Sequence, residues 1–301
     1  MIRFSVVIPT YNRKGYLLEC LETVFAQSYA AHEVIVVDDG STDGTVEAVE
    51  ILGRGVQVIQ QANGGPGAAR NRGASVAGGD YLAFLDSDDL WFPWTLATFA
   101  SLIEQHGNPA LLFGKLVDFV DQRELMCLAF QQPIGTVYPD FLSSHAKGYF
   151  CGAGMIVVKP DIFKQVGGFT QDCLNAEDHD LALTLGTQEG FVQVREPVTI
   201  GYRRHNSSET IDLGKTLRGL ERLVAKEKAA QYPGGYERRL ARRRIIARHV
   251  RSAVIGAAKA GNGIDASPLY YSTFGWNLRF GHGSYLAAVP FLAAYRKFSG
   301  A

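Results

Sequence analysis

Three aspartates within four residues mark the segment of this chain best suited to chemistry. The apolar run Leu82–Leu85 is followed at once by four polar residues: Asp86, Ser87, Asp88 and Asp89. Carboxylates crowded at the end of a buried strand are unfavourable unless a cation lies beside them. Mg²⁺ and Mn²⁺ prefer such oxygen ligands, often one or two carboxylates together with substrate phosphates. The alternative is a polar loop in which one aspartate caps a helix that starts near Trp91.

The elements that position these acids alternate between strand and helix. Four apolar runs predict strands: Phe4–Ile8, Glu33–Val37, Val56–Gln60 and Asp80–Leu85. Three segments with helical features lie between them: Lys14–Gln27, Thr42–Leu52 and Pro66–Ala77. This alternation predicts βαβ units and a largely parallel sheet. The acids Asp38 and Asp39 and the segment Asp86–Asp89 then follow strand ends on one rim, where open α/β sheets bind ligands.

The middle of the chain continues the mixed pattern. Further strands are predicted at Leu111–Val120, Phe150–Val158, Val192–Arg195 and Thr199–Tyr202. Further helices are predicted from Pro93 to His106, at Pro160–Val166 and at Glu177–Leu185. Residues 122–148 show neither the helical nor the strand period of apolar residues, and they are predicted to form a connection over the sheet. From about Lys215 the pattern is helical and basic.

Charge divides the chain in two although its formal net charge is zero. Residues 1–214 carry 14 Lys and Arg against 26 Asp and Glu, whereas residues 215–301 carry 16 against 4. Such asymmetry points to a basic appendage that meets an anionic surface or the acidic body itself. The four cysteines outline neither a zinc site nor a disulfide framework, which favours a reducing cytosol. With no signal-peptide pattern and no apolar run of ~18–20 residues, we expect a soluble or peripheral protein.

Three residues could recognise a nucleotide. Asp38 and Asp39 can accept hydrogen bonds from a base or a ribose, although capping of the next helix accounts for one of them. Arg70 offers a guanidinium fork for phosphate or base carbonyls, with a surface ion pair as its alternative. Residues 64–67 match neither a phosphate-binding loop nor a dinucleotide-binding glycine pattern, which disfavours a kinase or a dehydrogenase.

Acids and a histidine late in the chain could act in catalysis. Glu177, Asp178 and Asp180 surround the start of a predicted helix, where acids often only complement the helix dipole. A carboxylate there could instead deprotonate a hydroxyl nucleophile. His205 follows a predicted strand and could bring an imidazole to leaving phosphates or to a metal, although a single histidine is more often structural.

Five short motifs occur in order along the chain. They lie at residues 6–13 (Val-Val-Ile-Pro-Thr-Tyr-Asn-Arg), 36–43 (Val-Val-Asp-Asp-Gly-Ser-Thr-Asp), 67–73 (Gly-Ala-Ala-Arg-Asn-Arg-Gly), 84–89 (Phe-Leu-Asp-Ser-Asp-Asp) and 177–178 (Glu-Asp). Together they resemble glycosyltransferase family 2, whose members are inverting enzymes of the GT-A fold. The resemblance covers about residues 3–210. It implies an α/β, Rossmann-like GT-A domain over residues 1–210, with a mostly parallel central sheet flanked by helices. Residues 211–301 then form a helical, basic extension.

The resemblance also implies a role for each matching residue. Contacts to the donor nucleotide fall on Pro9, Thr10, Tyr11, Asp38, Asp39, Arg70, Asp86 and Ser87. Asp88 resembles the family's metal-binding acid, with Asp86 and His205 as further ligands and Mn²⁺ or Mg²⁺ as the ion. Asp178 falls where the family places its catalytic base, and Glu177 lies beside it.

The implied reaction is a single displacement. Asp178 takes a proton from a sugar or lipid-linked hydroxyl, which attacks the anomeric carbon of a nucleotide-sugar and inverts it. The resemblance favours a UDP-sugar as this donor. Such a reaction is typical of polysaccharide or glycolipid synthesis. One alternative is a catalytically weak nucleotide-binding or scaffolding subunit, which the retained Asp86, Asp88 and Asp178 argue against. Another is a nucleotidyltransferase that makes nucleotide-sugars, but Pro9–Arg13 lacks the glycine-rich loop of those enzymes.

The basic extension is interpreted from its pattern alone. Seven arginines between residues 238 and 251 recur at helical spacing with apolar residues between them, which predicts a basic amphipathic helix. Such a helix suits an anionic leaflet and would place a cytoplasmic protein at the inner face of the membrane. Its apolar face could equally pack on the GT-A body or on a second copy of the chain. Nucleic acid is not expected as a partner, because the body is acidic and no binding motif is present.

Overall fold

The computed structural model describes residues 1–149, 151–205, 212–263 and 265–299. Their strands are β1 (Phe4–Thr10), β2 (Glu33–Asp38), β3 (Gln57–Gln60), β4 (Tyr81–Phe84), β5 (Leu90–Trp91), β6 (Leu111–Phe113), β7 (Leu116–Phe119), β8 (Ile134–Tyr138), β9 (Ile156–Val158), β10 (Phe191–Glu196) and β11 (Ile200–Arg203). Their helices are α1 (Lys14–Phe25), α2 (Thr45–Leu52), α3 (Gly65–Val76), α4 (Thr95–Gln105), α5 (Pro160–Gln165), α6 (Glu177–Thr184), α7 (Leu213–Lys228), α8 (Arg239–Lys259), α9 (Ser267–Arg279) and α10 (Gly283–Ser299).

The chain divides into two compact units, each built from more than one segment. The first contains Met1–Phe141, Phe150–Cys173 and Glu177–Asn206, and the second contains Leu142–Tyr149, Leu174–Ala176 and Ser207–Ala301. The domain boundary predicted between residues 210 and 211 lies outside the described residues, so that boundary stays a prediction.

The predicted parallel strands form one half of an eight-stranded sheet with the order β3-β2-β1-β4-β9-β6-β10-β8. β1 pairs in parallel with both β2 and β4, and β2 pairs in parallel with β3. The strands β1 and β4 are buried throughout because side chains pack on both faces of the sheet. On β2, Val36 lies in one core cluster with Leu17 of α1, and Val37 lies in another with Ala69 of α3. The α/β class and the central sheet of the sequence prediction are confirmed.

The segment Leu111–Val120 was predicted as a single strand, and this prediction is wrong. Its first part, β6, belongs to the large sheet, whereas β7 pairs with β11 in a separate sheet of order β5-β11-β7. The chain changes sheets at Gly114 and Lys115. The Thr199 hydroxyl bonds to both backbone groups of Lys115, and a side chain on Gly114 would begin 2.6 Å from that hydroxyl. Only glycine therefore fits beside Thr199.

Three other predicted elements need correction. No helix starts near Trp91, because Leu90–Trp91 is a strand that pairs with β11, and α4 begins at Thr95 after the proline. The connection at 122–148 contains a strand, β8, which pairs antiparallel with β10. Of the predicted strand Phe150–Val158, only Ile156–Val158 is extended and paired; a short 3₁₀ turn precedes it, and Phe150 lies outside the described residues.

The second unit is helical, and α8 packs against α7, α9 and α10. The predicted basic helix exists, but its apolar side chains are buried: Ile245, Ile246, Val250 and Val254 are at most 5% exposed. This apolar face is therefore not available for insertion into a membrane in this fold, and a membrane contact made by the arginines stays a prediction. Among the described residues, no helix is both long enough and apolar enough to span a bilayer.

Candidate active site

The carboxyl ends of β1 and β2 lie side by side and carry two buried polar groups. Thr10 at the end of β1 pairs in register with Asp38 at the end of β2. Thr10 Oγ1 and Asp38 Oδ1 have no hydrogen-bond partner among the described residues. Since buried polar atoms nearly always have a partner, these two atoms mark a place where a ligand can supply one. Of the flanking predicted residues, Pro9 is buried and Tyr11 is exposed.

Asp39 holds the loop that leads into α3. Its Oδ1 accepts hydrogen bonds from Gln61 Nε2 at 2.7 Å and from the Gly64 amide at 2.9 Å, and its Oδ2 accepts one from the Gly65 amide at 2.8 Å. Gly65 has a φ of +84°, a conformation that favours glycine. Asp39 therefore fixes this loop, and its contact with a nucleotide base stays a prediction.

The acidic turn after β4 is held by Arg203 at the end of β11. The Arg203 amide donates to Asp89 Oδ1 at 3.0 Å, and its Nε donates to the Asp88 carbonyl at 2.8 Å. A third contact joins its Nη2 to Glu19 at 2.6 Å. Asp89 is buried, and this burial, with the charges of two neighbouring aspartates, raises its pKa well above the usual value. Asp89 is therefore part of the scaffold of the turn, while the Asp88 carboxylate faces other partners; Ser87 is buried in the same turn.

Asp88 and His205, two of the predicted metal ligands, lie in contact. His205 Nε2 is 2.9 Å from Asp88 Oδ2, although the two residues are 117 positions apart in the chain. The ring of Tyr16 lies against the imidazole with 4.9 Å between ring centroids, and Arg13 Nη1 lies 3.4 Å from His205 Nδ1. A carboxylate and an imidazole together are donors suited to Mn²⁺. Within the described ranges no cluster of three or more His, Cys, Asp or Glu side chains suited to a metal is found.

The third predicted ligand, Asp86, contacts Arg70. Arg70 Nη2 donates to Asp86 Oδ1 at 2.6 Å, and Nη1 donates to Glu177 Oε1 at 3.1 Å. Burial of the guanidinium opposes its charge, but the two carboxylates raise the pKa of Arg70, so it stays protonated. Gly154 lies so close that a side chain there would begin 3.2 Å from the Asp86 amide nitrogen. Arg70 thus joins the acidic turn to the start of α6.

Asp178 follows Glu177 in the first turn of α6 and is held by its neighbour. Its Oδ1 accepts both the His179 amide and His179 Nδ1, each at 2.6 Å. Burial would raise the pKa of Asp178, but the paired imidazole holds it below its usual value. Burial likewise raises the pKa of Glu177, with Arg70 opposing the rise. The arrangement keeps Asp178 ionised with one oxygen fixed, as a base for a hydroxyl requires.

Comparison with known proteins identifies the family. A sequence profile described as "Glycosyl transferase family 2" matches residues 5–165, more than half of the chain. The chain belongs to glycosyl transferase family 2. This glycosyltransferase is similar over most of its length to solved structures: Staphylococcus aureus TarS 1-349 in complex with UDP-GlcNAc superposes with a TM-score of 0.74 at 19% identity, covering 98% of this chain and 92% of that one. At this identity the likeness shows the fold, and it confirms the GT-A prediction.

Curated relatives of this glycosyltransferase match shorter stretches. An uncharacterized glycosyltransferase of Haemophilus influenzae is 27% identical over 223 residues, which cover 72% of this chain and 74% of the relative. The poly(ribitol-phosphate) beta-N-acetylglucosaminyltransferase TarS of Staphylococcus aureus is 39% identical over 118 residues. That match covers 37% of this chain and only 21% of the length of TarS.

Sequence reasoning missed several residues of the site. Arg203 was not predicted as a site residue, yet its donors hold the acidic turn. Glu19 and Tyr16 of α1 were not among the predicted site residues, although they contact Arg203 and His205, respectively. His179 carried a usable signal, because a histidine next to an aspartate in a first helical turn can reach its carboxylate.

Arg70 gives a stability prediction. Replacing it with glutamine leaves the Asp86 and Glu177 carboxylates facing each other without a cation, so we expect the free energy of unfolding to fall by about 3 kcal/mol. Urea unfolding followed by circular dichroism measures this. Arg72→Gln is the matched control, because Arg72 lies two residues further along α3 and is exposed. Equal stability of the two variants would mean that the Arg70 pairs contribute nothing.

Proposed function

We propose that this glycosyltransferase is metal-dependent, uses a UDP-sugar and inverts the anomeric carbon. The observation that carries the proposal is a pair of contact sets at the carboxyl edge of the sheet, Asp88 with His205 and Arg70 with Asp86 and Glu177, which share the acidic turn after β4. Asp178 follows Glu177 directly in the chain. UDP is supported by the TarS structures, which were solved with UDP-GlcNAc and with UDP. A mannosyltransferase of Pyrobaculum calidifontis, solved with GDP-Man and Mn²⁺, is similar with a TM-score of 0.55 and makes GDP the competing nucleotide.

The donor nucleotide is placed on the ends of β1 and β2. Thr10 Oγ1 and Asp38 Oδ1 are buried there without partners among the described residues, so hydroxyl or imide groups of a nucleoside would satisfy them. The exposed ring of Tyr11 adjoins these residues and offers a surface for a base. The loop fixed by Asp39 keeps its shape before the donor arrives, which lowers the cost of ordering on binding.

The metal is placed on Asp88 and His205. One carboxylate oxygen and one imidazole nitrogen fit Mn²⁺ or Mg²⁺ that takes its other ligands from a diphosphate and water. When bound, such an ion neutralises charge on the departing nucleoside diphosphate. Arg203 keeps the Asp88 backbone in place, and Tyr16 keeps the His205 ring in place. Asp86 is tied to Arg70, so we assign its free oxygen to the donor rather than to a fixed ligand position.

Asp178 is proposed as the base of a single displacement. It accepts the proton of the acceptor hydroxyl while that oxygen forms a bond to the anomeric carbon. The bond from that carbon to the diphosphate oxygen breaks in the same step, and its electron pair leaves with the nucleoside diphosphate. Attack opposite to the leaving group inverts the carbon. Glu177, paired with Arg70, positions the start of α6.

The proposal also covers the acceptor of the sugar and the biosynthetic process in which the transfer occurs. TarS is named for a polymer of ribitol phosphate, and a hydroxyl of a sugar or of a lipid-linked carrier is proposed here as the acceptor. Synthesis of a surface polysaccharide or glycolipid at the inner face of the cytoplasmic membrane fits such an acceptor. Assembly of the chain into homo-oligomers stays a prediction.

Calorimetric titration of UDP into the protein, with and without Mn²⁺, tests the donor and metal sites together. We expect binding that needs Mn²⁺ and is lost in Asp88→Ala, because that carboxylate is the anionic ligand. Asp80→Ala is the matched control: Asp80 precedes β4 at the opposite edge of the sheet and forms only an exposed pair with Arg3. Binding of GDP instead of UDP would overturn the nucleotide assignment, and metal-independent UDP binding would overturn the metal assignment.

A further inference from the structure

The arginines of α8 fall into two groups with different partners. Arg242 is buried and donates Nε to Glu227 Oε2 at 2.6 Å, and its other nitrogens reach the carbonyls of Pro233 and Gly235. Arg243 donates to the second oxygen of Glu227 at 3.1 Å. These two arginines therefore share one carboxylate inside the helical unit and have a structural role.

Arg244, Arg248 and Arg251 form the second group, which we call the arginine cluster. Their spacing of four and then three residues puts them on one face of α8, over about 10 Å of helix. Each guanidinium is held by a neutral partner. Arg244 lies 4.9 Å from the Phe280 ring centroid, Arg248 Nη2 donates to the His145 carbonyl at 3.1 Å, and Arg251 Nη1 donates to Asn277 Oδ1 at 2.9 Å. In the described part of the chain, none of the three forms an ion pair with a carboxylate.

The environment of the arginine cluster disfavours three positive charges. Burial and then Arg244 lower the pKa of Arg248, and burial and then Arg248 lower the pKa of Arg251. His282 lies beside the residue that orients Arg251, because its backbone amide donates to the Asn277 carbonyl at 3.0 Å. Burial and then all three arginines lower the pKa of its imidazole. Like charges held together in partly buried positions destabilise the fold unless an anion is present.

A buried hydroxyl completes the arrangement. Tyr285 on α10 is 8% exposed, and its hydroxyl has no hydrogen-bond partner among the described residues. Tyr285 lies three residues after His282, which bonds to Asn277, and its helix α10 packs against α8, the helix that carries Arg251. Burial and Tyr270 raise the pKa of Tyr285 to about 12, and Arg251 opposes this rise. The tyrosine can therefore donate a hydrogen bond to an anion held by Arg251. Asn277, which orients Arg251, is itself fully buried.

We infer that the arginine cluster, His282 and Tyr285 form a phosphate-binding site in the helical unit. Guanidinium forks match the oxygens of a phosphate group, and a hydroxyl donor adds the specificity that a plain basic surface lacks. The phosphate belongs either to a lipid headgroup or to a water-soluble molecule, and both present the same oxygens. This inference does not rest on the proposed transferase reaction, and the site would exist in a chain without activity.

The experiment titrates the full chain with inorganic phosphate in the presence of EDTA, at an ionic strength kept constant with chloride, and follows heat and the unfolding midpoint. We expect saturable binding and a raised midpoint in the unaltered chain. Binding should weaken about tenfold in Arg251→Gln and also weaken in Tyr285→Phe. Arg239→Gln, which removes the same charge from the start of the same helix, should bind like the unaltered chain. Circular dichroism and a cooperative urea-unfolding transition show that each variant is folded.

A second arm separates the two sources of phosphate. Vesicles of phosphatidylcholine with and without phosphatidylglycerol are sedimented with the protein and with Arg251→Gln. Binding to the anionic vesicles that is lost in Arg251→Gln but kept in Arg239→Gln supports a lipid headgroup, whereas binding of free phosphate alone supports a soluble ligand. No binding in either arm, or equal binding by Arg251→Gln and the unaltered chain, overturns the inference.

Discussion

Replacing Asp178 with asparagine is expected to slow transfer from the UDP-sugar donor, measured as release of UDP, by about 10²–10⁴-fold, the contribution of a positioned general base. Asparagine has the same shape and can still accept the His179 amide, so UDP binding should be kept. Steady-state kinetics and calorimetry on the same protein separate the two quantities. Asp161→Asn is the control, because Asp161 also lies in the first turn of a helix but is exposed. Unchanged turnover in Asp178→Asn would exclude Asp178 as the base.

The pH dependence of this reaction tests the partner of Asp178. A base works in its ionised form, and His179 holds the pKa of Asp178 below the usual value. Activity should therefore persist as the pH falls past the ordinary value of an aspartate, provided that the fold persists. In His179→Asn the pKa of Asp178 should rise, and the loss of activity should move to higher pH. An acid limb at the same pH in both proteins would mean that His179 only packs against Asp178.

Replacing Glu227 with glutamine is expected to lower the free energy of unfolding by about 3–5 kcal/mol, because it leaves a buried guanidinium without its counter-charge. Arg242 and Glu227 are 2% and 1% exposed, so water cannot screen the loss. Arg243 loses its partner as well. Glu237→Gln, at an exposed position shortly before α8, should change stability little and is the control.

Urea unfolding followed by tryptophan fluorescence measures this effect close to its source. Trp276 lies 5.2 Å from the Arg243 guanidinium and reports on the helical unit. The double variant Glu227→Leu with Arg242→Met should recover part of the loss, because an apolar pair removes both buried charges. Equal stability of Glu227→Gln and Glu237→Gln would contradict the prediction.

The fold was predictable where the information is local. Short apolar runs such as Val6–Ile8 and Val34–Val37 predict strands from their own residues alone. Their alternation with helices predicts parallel pairing. The break at Gly114 was not predictable in the same way, because apolar, strand-forming residues resume directly after Gly114 and Lys115. What turns the chain there is Thr199, which lies 84 positions from Lys115 in sequence.

The candidate active site was likewise predictable only where the information is local. The positions of Asp38, Asp39 and the acidic turn follow from strand ends, and ordered motifs pointed to Asp178. The partners of these acids did not follow, because they come from distant segments. Arg70 meets Glu177 across 107 positions, and Arg203 meets Glu19 across 184. The sequence identified which side chains carry charge, whereas the contacts between them needed the fold.

The helical unit is not a simple tail, since two short segments from the middle of the chain belong to it. Gly148 lies under the Arg248 guanidinium, and Gly219 of α7 lies against the Asn175 backbone so closely that any side chain there would collide. Exchange of this unit between family members therefore requires three matched segments, not one. Recombination at a single point near residue 210 would join helices to a body that carries another protein's packing segments. We therefore expect the two units to evolve together. Substitutions at residues 142–149 and 174–176 should accompany substitutions in the helices.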